Sequence, residues 1–377
     1  MSSLYFHIPF CRSRCHYCDF FSTTAGTTER SNYVALLVQH LQLLESTRAT
    51  NTDLQTIYFG GGTPSLLTVE QLERLLTACD ELFGVAANAE ITIEVNPGTF
   101  DRFYLQQIRS LGFNRLSIGV QSFDAEQLHR LGRCYSREQV LEAVPAARSA
   151  GFDNFSLDLM FALPEQTTQQ LDREIKLLLQ LEPGHISVYG LTVEEGTEFE
   201  RLQRRGQLAV VAEEEYARQY ELLRERFDTA GYEHYEVSNF ARPGYRCHHN
   251  QRYWQRRHCL AVGCGAHSFL EKGYGERWHI PADLPRYQQN LEGNRNPAEK
   301  LEVFDRTEAM RETAYLALRT SDGIDLDAFE QRFGESFHDV FSSPVAALKG
   351  VLRQSSQQVA FQPQHWLIYD HLISPFL

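Results

Sequence analysis

Two patterns alternate through the first two-thirds of the chain. Short apolar runs, Leu4–Ile8, Thr56–Gly60, Ile91–Asn96, Arg115–Gln121, Phe155–Leu163 and His185–Leu191, read as buried strands. Between them lie stretches with apolar residues at helical spacing: Arg30–Glu45, Val69–Leu82, Arg102–Leu111, Ser136–Ala150, Thr168–Leu181 and Ala212–Ala230. In the second of these, Leu72, Leu75, Leu76, Cys79 and Leu82 recur at that spacing. Strand–helix repetition of this kind predicts parallel βα units in an α/β fold. Six such units with nearly continuous apolar strands fit a partial (β/α)6 barrel over residues 1–240 better than an open doubly wound sheet. Polar and glycine-rich groups gather at the strand ends, where barrels carry their sites.

The pattern changes after about residue 232. Tyr232–Phe240 reads as extended. Residues 241–300 read as a connecting segment, in which Arg246–Leu270 is crowded with His, Cys, Arg and aromatic residues and shows little periodicity. Residues 301–377 read as a small, mainly helical unit. Thr307–Arg319 and Leu326–Arg332 are its expected helices, Gly323 breaks the pattern between them, and Trp366–Ile373 is strand-like.

The chemistry is concentrated at the start. Cys11, Cys15 and Cys18 stand in Tyr5-Phe6-His7-Ile8-Pro9-Phe10-Cys11-x-x-x-Cys15-x-Tyr17-Cys18-Asp19. Three thiolates can hold three irons of a 4Fe-4S cluster and leave the fourth open to a small molecule, whereas clusters for electron transfer usually have four cysteines. A zinc site using these cysteines with His7 or His16 is the alternative. The spacing resembles that of the radical S-adenosylmethionine (SAM) proteins, in which the open iron chelates SAM. The resemblance implies that Tyr17 lies near the adenine.

A second motif, Tyr58-Phe59-Gly60-Gly61-Gly62-Thr63-Pro64-Ser65, follows a strand, and its glycines let the backbone approach a ligand closely. On its own it could be a tight βα turn. After the cysteine motif it matches the radical-SAM pattern, which implies that Gly61, Gly62 and Thr63 contact SAM. Glu94, Gln121 and Asp158 lie in or at the ends of later strands, and Arg133 stands in His129-Arg130-Leu131-Gly132-Arg133. A carboxylate in an apolar strand is costly unless paired or bound to a ligand. Glu94 and Asp158 therefore read as partners of a ribose or amino group, or as members of ion pairs with a neighbouring Arg.

Taken together, Tyr5 to about Phe240 is similar to the radical-SAM core of the oxygen-independent coproporphyrinogen III oxidase-like (HemN-like) group. The matching residues are His7-Ile8-Pro9-Phe10-Cys11, the triple glycine, Glu94, Gly119-Val120-Gln121-Ser122-Phe123, Asp158-Leu159 and Leu163-Pro164. Within that group the chain resembles the HemW branch, heme-binding proteins with a proposed heme-chaperone role. Phe20 stands where the oxidases carry a further cysteine, the segment before the motif is short, and Cys247–Trp254 contains the HemW-associated pattern His-Asn-x-x-Tyr-Trp.

The resemblance implies a radical-SAM partial (β/α)6 TIM-like barrel with a small, mainly helical C-terminal domain. It implies a 4Fe-4S cluster on Cys11, Cys15 and Cys18. It implies a SAM site formed by Tyr5, Tyr17, Gly61, Gly62, Thr63, Glu94, Gln121, Arg133 and Asp158. It implies heme as a further ligand and a heme-accepting protein as partner. His249 is the expected axial ligand, Tyr253 and Trp254 the expected pocket lining, and Cys247 an alternative thiolate, since heme iron takes His, Cys, Met or Tyr. The competing reading has His249 and Asn250 satisfying buried backbone groups. His234 and Glu236 are further candidates that no spacing selects, and Cys264 reads as core. Catalytic residues are not assigned, and the binding residues serve a cleaved or an intact SAM equally. Decarboxylation of coproporphyrinogen is the disfavoured alternative.

Composition adds limits. The chain has 377 residues, 42% of them hydrophobic and 23% charged, enough for a sizeable core without disulfides. A net charge of −13 argues against non-specific nucleic-acid binding. The basic stretches Arg201–Arg205 and Arg252–Arg257 read as solvated faces. With no leader pattern ahead of Tyr5, no apolar run long enough for a membrane span and a motif that needs free thiolates, a cytoplasmic location is expected. Peripheral contact with membrane-bound acceptors and a homodimer are left open.

Overall fold

The computed structural model describes residues 2–46 and 53–377. Strands β1 (Ser2–Ile8), β2 (Leu54–Gly61), β3 (Val85–Val95), β4 (Arg115–Gln121), β5 (Phe155–Phe161) and β6 (His185–Gly190) lie side by side and parallel, in sequence order. Helices return the chain between or after them: α1 (Thr27–Ser46), α2 (Val69–Phe83), α3 (Arg102–Ser110), α4 (Ala125–Arg130), α5 (Arg137–Ser149), α6 (Thr168–Gln180), α7 (Glu198–Arg204) and α8 (Glu213–Thr229). Three of these starts are written in the sequence: Thr68 with Gln71, Ser136 with Gln139 and Thr167 with Gln170 form reciprocal capping boxes at α2, α5 and α6. The strands are apolar on both faces because helices cover one and the barrel interior the other. Phe6 and Phe59, paired across β1 and β2, stack with ring centroids 4.4 Å apart.

The sheet runs well beyond six strands. On one side β8 (Asn239–Ala241) adds antiparallel to β6, and β7 (Glu233–Glu236) adds antiparallel to β8 at the edge. The chain then forms α9 (His248–Trp254) and crosses to the other side, where β9 (Cys259–Val262) pairs parallel to β1. From β9 the sheet continues through β10 (His267–Leu270), β11 (Glu276–His279) and β12 (Glu299–Val303), with α10 (Leu284–Glu292) before the last strand. The segment 241–300 thus supplies four strands of the same sheet and one cavity-facing helix. Its elements are too short, and its charged residues too frequent, for periodicity to register them.

The C-terminal unit is built on α11 (Arg306–Ala317) and α12 (Leu326–Phe333), close to the expected helices, with a three-stranded sheet of Ile324–Asp325, Leu352–Gln354 and Gln358–Phe361. Gly323 has φ 65°, and a Cβ there would meet the Val359 carbonyl at 2.2 Å, so the break requires glycine. Trp366–Ile373 is not a strand. It is a 3-10 turn (Pro363–Ile368) running into a short helix (Tyr369–Ile373), and Trp366, Tyr369, Leu372, Ile373 and Phe376 are buried at helical spacing. A short apolar run is ambiguous between the two states, and here the surrounding phenylalanines decide it.

Arg256 joins the sheet to this unit. It is 5% exposed, lies over the rings of Phe269 and Phe304 at 4.7 and 4.6 Å, and pairs with Glu312 of α11, which also pairs with Arg277. Glu312→Ala should cost about 3–5 kcal/mol of stability by leaving Arg256 buried without a carboxylate. Urea denaturation measures this, and a loss below about 1 kcal/mol would mean that Arg256 finds another acceptor.

Candidate functional site

A cavity of about 570 Å³ opens at the carboxyl ends of the parallel strands. Its wall contains Cys11, Cys15 and Cys18 on the loop after β1, Gly61, Gly62 and Thr63 after β2, and Tyr5, Tyr17, Glu94, Gln121, Arg133, Asp158, His249 and Tyr253. The register of β1 on β2 sets His7 against Gly60 and Ile8 against Gly61, so the cysteine and glycine loops leave the sheet side by side. Gly62 N–H donates to the Ile8 carbonyl at 2.8 Å. A Cβ on Gly62 would stand 2.8 Å from the Phe10 carbonyl and 3.0 Å from Cys11 Sγ. Gly61 has φ 108°, and a Cβ there would strike the His7 ring.

A chain of polar contacts ties the loops together. Thr63 Oγ1 donates to Cys11 Sγ at 3.7 Å, Asn96 Nδ2 donates to Thr63 Oγ1 at 3.0 Å, and Arg133 Nη1 donates to Asn96 Oδ1 at 3.2 Å. Arg133 also donates to the Tyr17 hydroxyl and lies over the Tyr17 and Tyr135 rings. Gln121 closes β4 with φ 63°, a left-handed conformation that costs a non-glycine residue roughly 1–3 kcal/mol.

Two carboxyl groups of this cavity, on β3 and β5, make no direct salt bridge among the described residues. Glu94 accepts from the Tyr58 hydroxyl at 3.0 Å and from Gly61 N–H at 3.2 Å. Burial outweighs these bonds and raises its pKa to about 7. Asp158 accepts from the hydroxyls of Ser117 and Ser156, and burial raises its pKa as well. Their direct partners are hydroxyls and one backbone N–H, and the buried Arg115 acts on both only through its charge.

The zinc alternative fares no better. His7 contacts the Tyr5 hydroxyl and the Phe21 carbonyl, one through each ring nitrogen, and His16 Nδ1 contacts the Arg130 carbonyl. Among the described residues no three His, Cys, Asp or Glu side chains converge as a single metal ion requires.

The proposed heme residues separate. His249 is fully buried, with Nδ1 2.8 Å from Thr56 Oγ1 and Nε2 2.8 Å from the Tyr253 hydroxyl. Burial lowers its pKa to about 3 and keeps it neutral. Both nitrogens are engaged, so axial ligation would require breaking one of these bonds, and its partners are side chains rather than backbone. Cys247 is fully buried, outside the cavity, with Sγ 3.7 Å from Glu90. Trp254 also lies outside the cavity, beneath the guanidinium of Arg319 at 4.8 Å. Neither Cys247 nor Trp254 is placed to touch a ligand there.

His234 stacks on Phe240 and meets Trp366 edge-on, while Glu236 pairs with Arg319 at 3.1 Å. Both therefore bind the C-terminal unit. Cys264 is core, with Sγ 3.1 Å from the Pro281 carbonyl. Asn96, Tyr58 and Tyr189 line the cavity without having been selected from sequence. Asn96 had a readable signal, an amide ending an apolar strand before Pro97. The basic stretches carry ion pairs: Arg201 with Glu198, Arg204 with Glu200 and Arg257 with Glu271.

Known proteins resemble this chain in fold and in sequence. A radical SAM superfamily model matches residues 5–178, and a HemN C-terminal domain model matches residues 304–361. The fold is similar to coproporphyrinogen III oxidase (HemN) from Escherichia coli, with a TM-score of 0.86 at 24% identity over 100% of this chain and 89% of that one. The chain is therefore a radical SAM α/β protein with a HemN-like architecture. Heme chaperone HemW from Lactococcus lactis is 33% identical over 100% of this chain and 97% of that protein. The HemW of Bacillus subtilis is 33% identical over 100% and 99%, and that of Synechocystis is 39% identical over 86% and 79%. The chain belongs to the HemW family.

Radical SAM membership implies a 4Fe-4S cluster and SAM, and the residues present fit both. Three part-exposed thiols share one wall, and burial raises the pKa of Cys15 and Cys18, a cost that bound iron would offset. The cradle at Gly62 admits no Cβ, and burial raises the pKa of the cavity carboxyl groups Glu94 and Asp158.

Gly62→Ala should sharply lower the iron and sulfide bound per chain after anaerobic reconstitution, with the far-ultraviolet circular dichroism unchanged. Full loading would show that the loop can yield. Glu94 supplies a pH test. Its folded pKa lies above the usual 4.5, so the folded chain holds this proton more tightly than the unfolded chain. Its ionisation therefore costs stability as pH rises from about 4.5 through about 7. A ligand that needs the carboxylate gains affinity over the upper part of that range. SAM affinity should rise between about pH 6 and pH 8 and flatten in Glu94→Gln; parallel pH profiles would refute the assignment.

Proposed function

We propose that the chain is a cytoplasmic heme chaperone that holds a SAM-ligated 4Fe-4S cluster, binds heme and passes it to an acceptor protein. The observation that carries the reading is one cavity that joins the three-cysteine loop and the glycine loop to His249 and Tyr253 of the His-Asn-x-x-Tyr-Trp segment. Cys11, Cys15 and Cys18 hold the cluster. Gly61, Gly62 and Thr63 offer backbone and hydroxyl contacts to SAM, Glu94 and Asp158 accept from its amino group and ribose, and Tyr17 lies by its adenine. Gln121 and Arg133 complete that pocket. Bound there in reduced form, the cluster would supply an electron to SAM. The same contacts serve an intact SAM, and an assay for 5′-deoxyadenosine separates the two cases.

Heme takes the open side of the cavity in this reading. Tyr189 and Phe20 line it there, 46% and 61% exposed, and give apolar ring surface to a porphyrin. His249 is assigned to the wall that orients Tyr253 and not to the iron, because both of its nitrogens are engaged.

Anaerobically reconstituted protein should bind hemin saturably, near one per chain, in a visible-absorption titration. His249→Ala should weaken binding and leave the Soret maximum in place. A displaced maximum would restore His249 as the ligand, and no saturable binding would remove the heme-chaperone reading. Incubation with coproporphyrinogen III, SAM and reductant should give no protoporphyrinogen, since Phe20 stands in place of the oxidases' further cysteine.

A further inference from the structure

Helix α9 brings His249, Asn250 and Tyr253 to the cavity wall, yet its N-cap residue, Cys247, donates no side-chain cap. A helix start leaves backbone N–H groups without partners, and leaving them buried is costly. The missing acceptor comes from the barrel. Glu90 of β3 is 7% exposed, and its carboxylate accepts from His248 N–H at 3.1 Å and from His249 N–H at 2.9 Å. A carboxylate at a helix start also meets the favourable end of the helix dipole.

The placement of Glu90 is fixed by strand register. Glu90 stands opposite Thr56 in the β2/β3 ladder, and Thr56 holds the His249 ring at Nδ1. One cross-strand pair therefore grips both the backbone and the imidazole of a single residue. On the next strand Arg115, 2% exposed, acts electrostatically on Glu90, and its Nε has no hydrogen-bond partner. A buried carboxylate needs such compensation.

We propose that Glu90 is the positioning residue of the cavity: it substitutes for the absent cap of α9 and so fixes His249 and, through it, the Tyr253 hydroxyl. Glu90 lies outside the cavity lining, so its effect on a ligand is indirect, through the hydrogen bonds to α9 and the charge of Arg115. The inference rests on the proposed reading only in naming SAM and heme as the ligands that feel it.

The test uses the full chain with Glu90→Ala and Glu90→Gln. Diethyl pyrocarbonate labelling with peptide mass spectrometry reads His249 directly in the absence of ligand. His249 should be protected in the native chain, labelled in Glu90→Ala and intermediate in Glu90→Gln, which keeps one acceptor oxygen. In reconstituted protein, SAM and hemin affinity should fall about tenfold in Glu90→Ala, the scale of one lost cap, with partial rescue by Glu90→Gln. If Glu90→Ala does not fold, Glu90→Gln carries the test. Folded variants with His249 protected and native affinities would overturn the proposal. Graded labelling of His249 in a chain that binds neither SAM nor hemin would uphold the anchor and overturn the functional reading instead.

Discussion

The structure depends on the parallel ladder between β1 and β2. Its register carries the chain out of the sheet at Ile8 on one strand and Gly61 on the next, and the Gly62 N–H to Ile8 carbonyl bond extends the pairing into the loops. Three cysteines and three glycines, far apart in sequence, become neighbours through that one alignment. A shift by one residue would turn every side chain of β1 to the opposite face and would separate the two loops. Phe6 and Phe59, stacked beneath, resist such a shift because both are core residues with no alternative place to go.

Above that base the cavity is lined with polar groups that lack full compensation. Glu94 and Asp158 are desolvated without a direct salt bridge, the thiols of Cys15 and Cys18 are held from ionising, and Gln121 adopts a disfavoured backbone angle. Each is a local cost, and the apolar barrel packing around them bears it. Costs gathered at one end of a barrel identify that end as the place where ligands act. Toward the floor of the barrel some polar groups are matched by neighbours: His185 lies between Ser156 Oγ and the Tyr235 hydroxyl, and Glu90 meets α9. The same kinds of residue thus serve structure below and ligand contact above.

Much of this was legible in sequence. The six strands and their helices follow from apolar periodicity, because both faces of each strand are covered. The cysteine and glycine motifs declare themselves because their spacing is local. What escaped depends on contacts between distant positions. Asn96 and Glu90 look like ordinary polar residues in or beside β3, and only the fold shows that one bridges Thr63 to Arg133 while the other caps a helix more than 150 residues later. His249 stands out in the sequence, but only the fold shows that Thr56 and Tyr253 engage its two nitrogens. Trp254 ends its short helix and Cys247 stands just before it, and a helix of two turns points some of its side chains away from any one cavity.

Arg319 has its guanidinium between the rings of Trp254 and Tyr369 and pairs with the buried carboxylate of Glu236. The helix that forms one wall of the cavity is thereby clasped at its far end by the C-terminal unit. The two parts of the chain are consequently not interchangeable modules. A C-terminal unit grafted from another protein with this architecture would fit the barrel only if it brought its own cation to this aromatic seat. Recombination between relatives is therefore constrained by side chains outside the cavity, Arg319 here and Glu312 at the Arg256 joint.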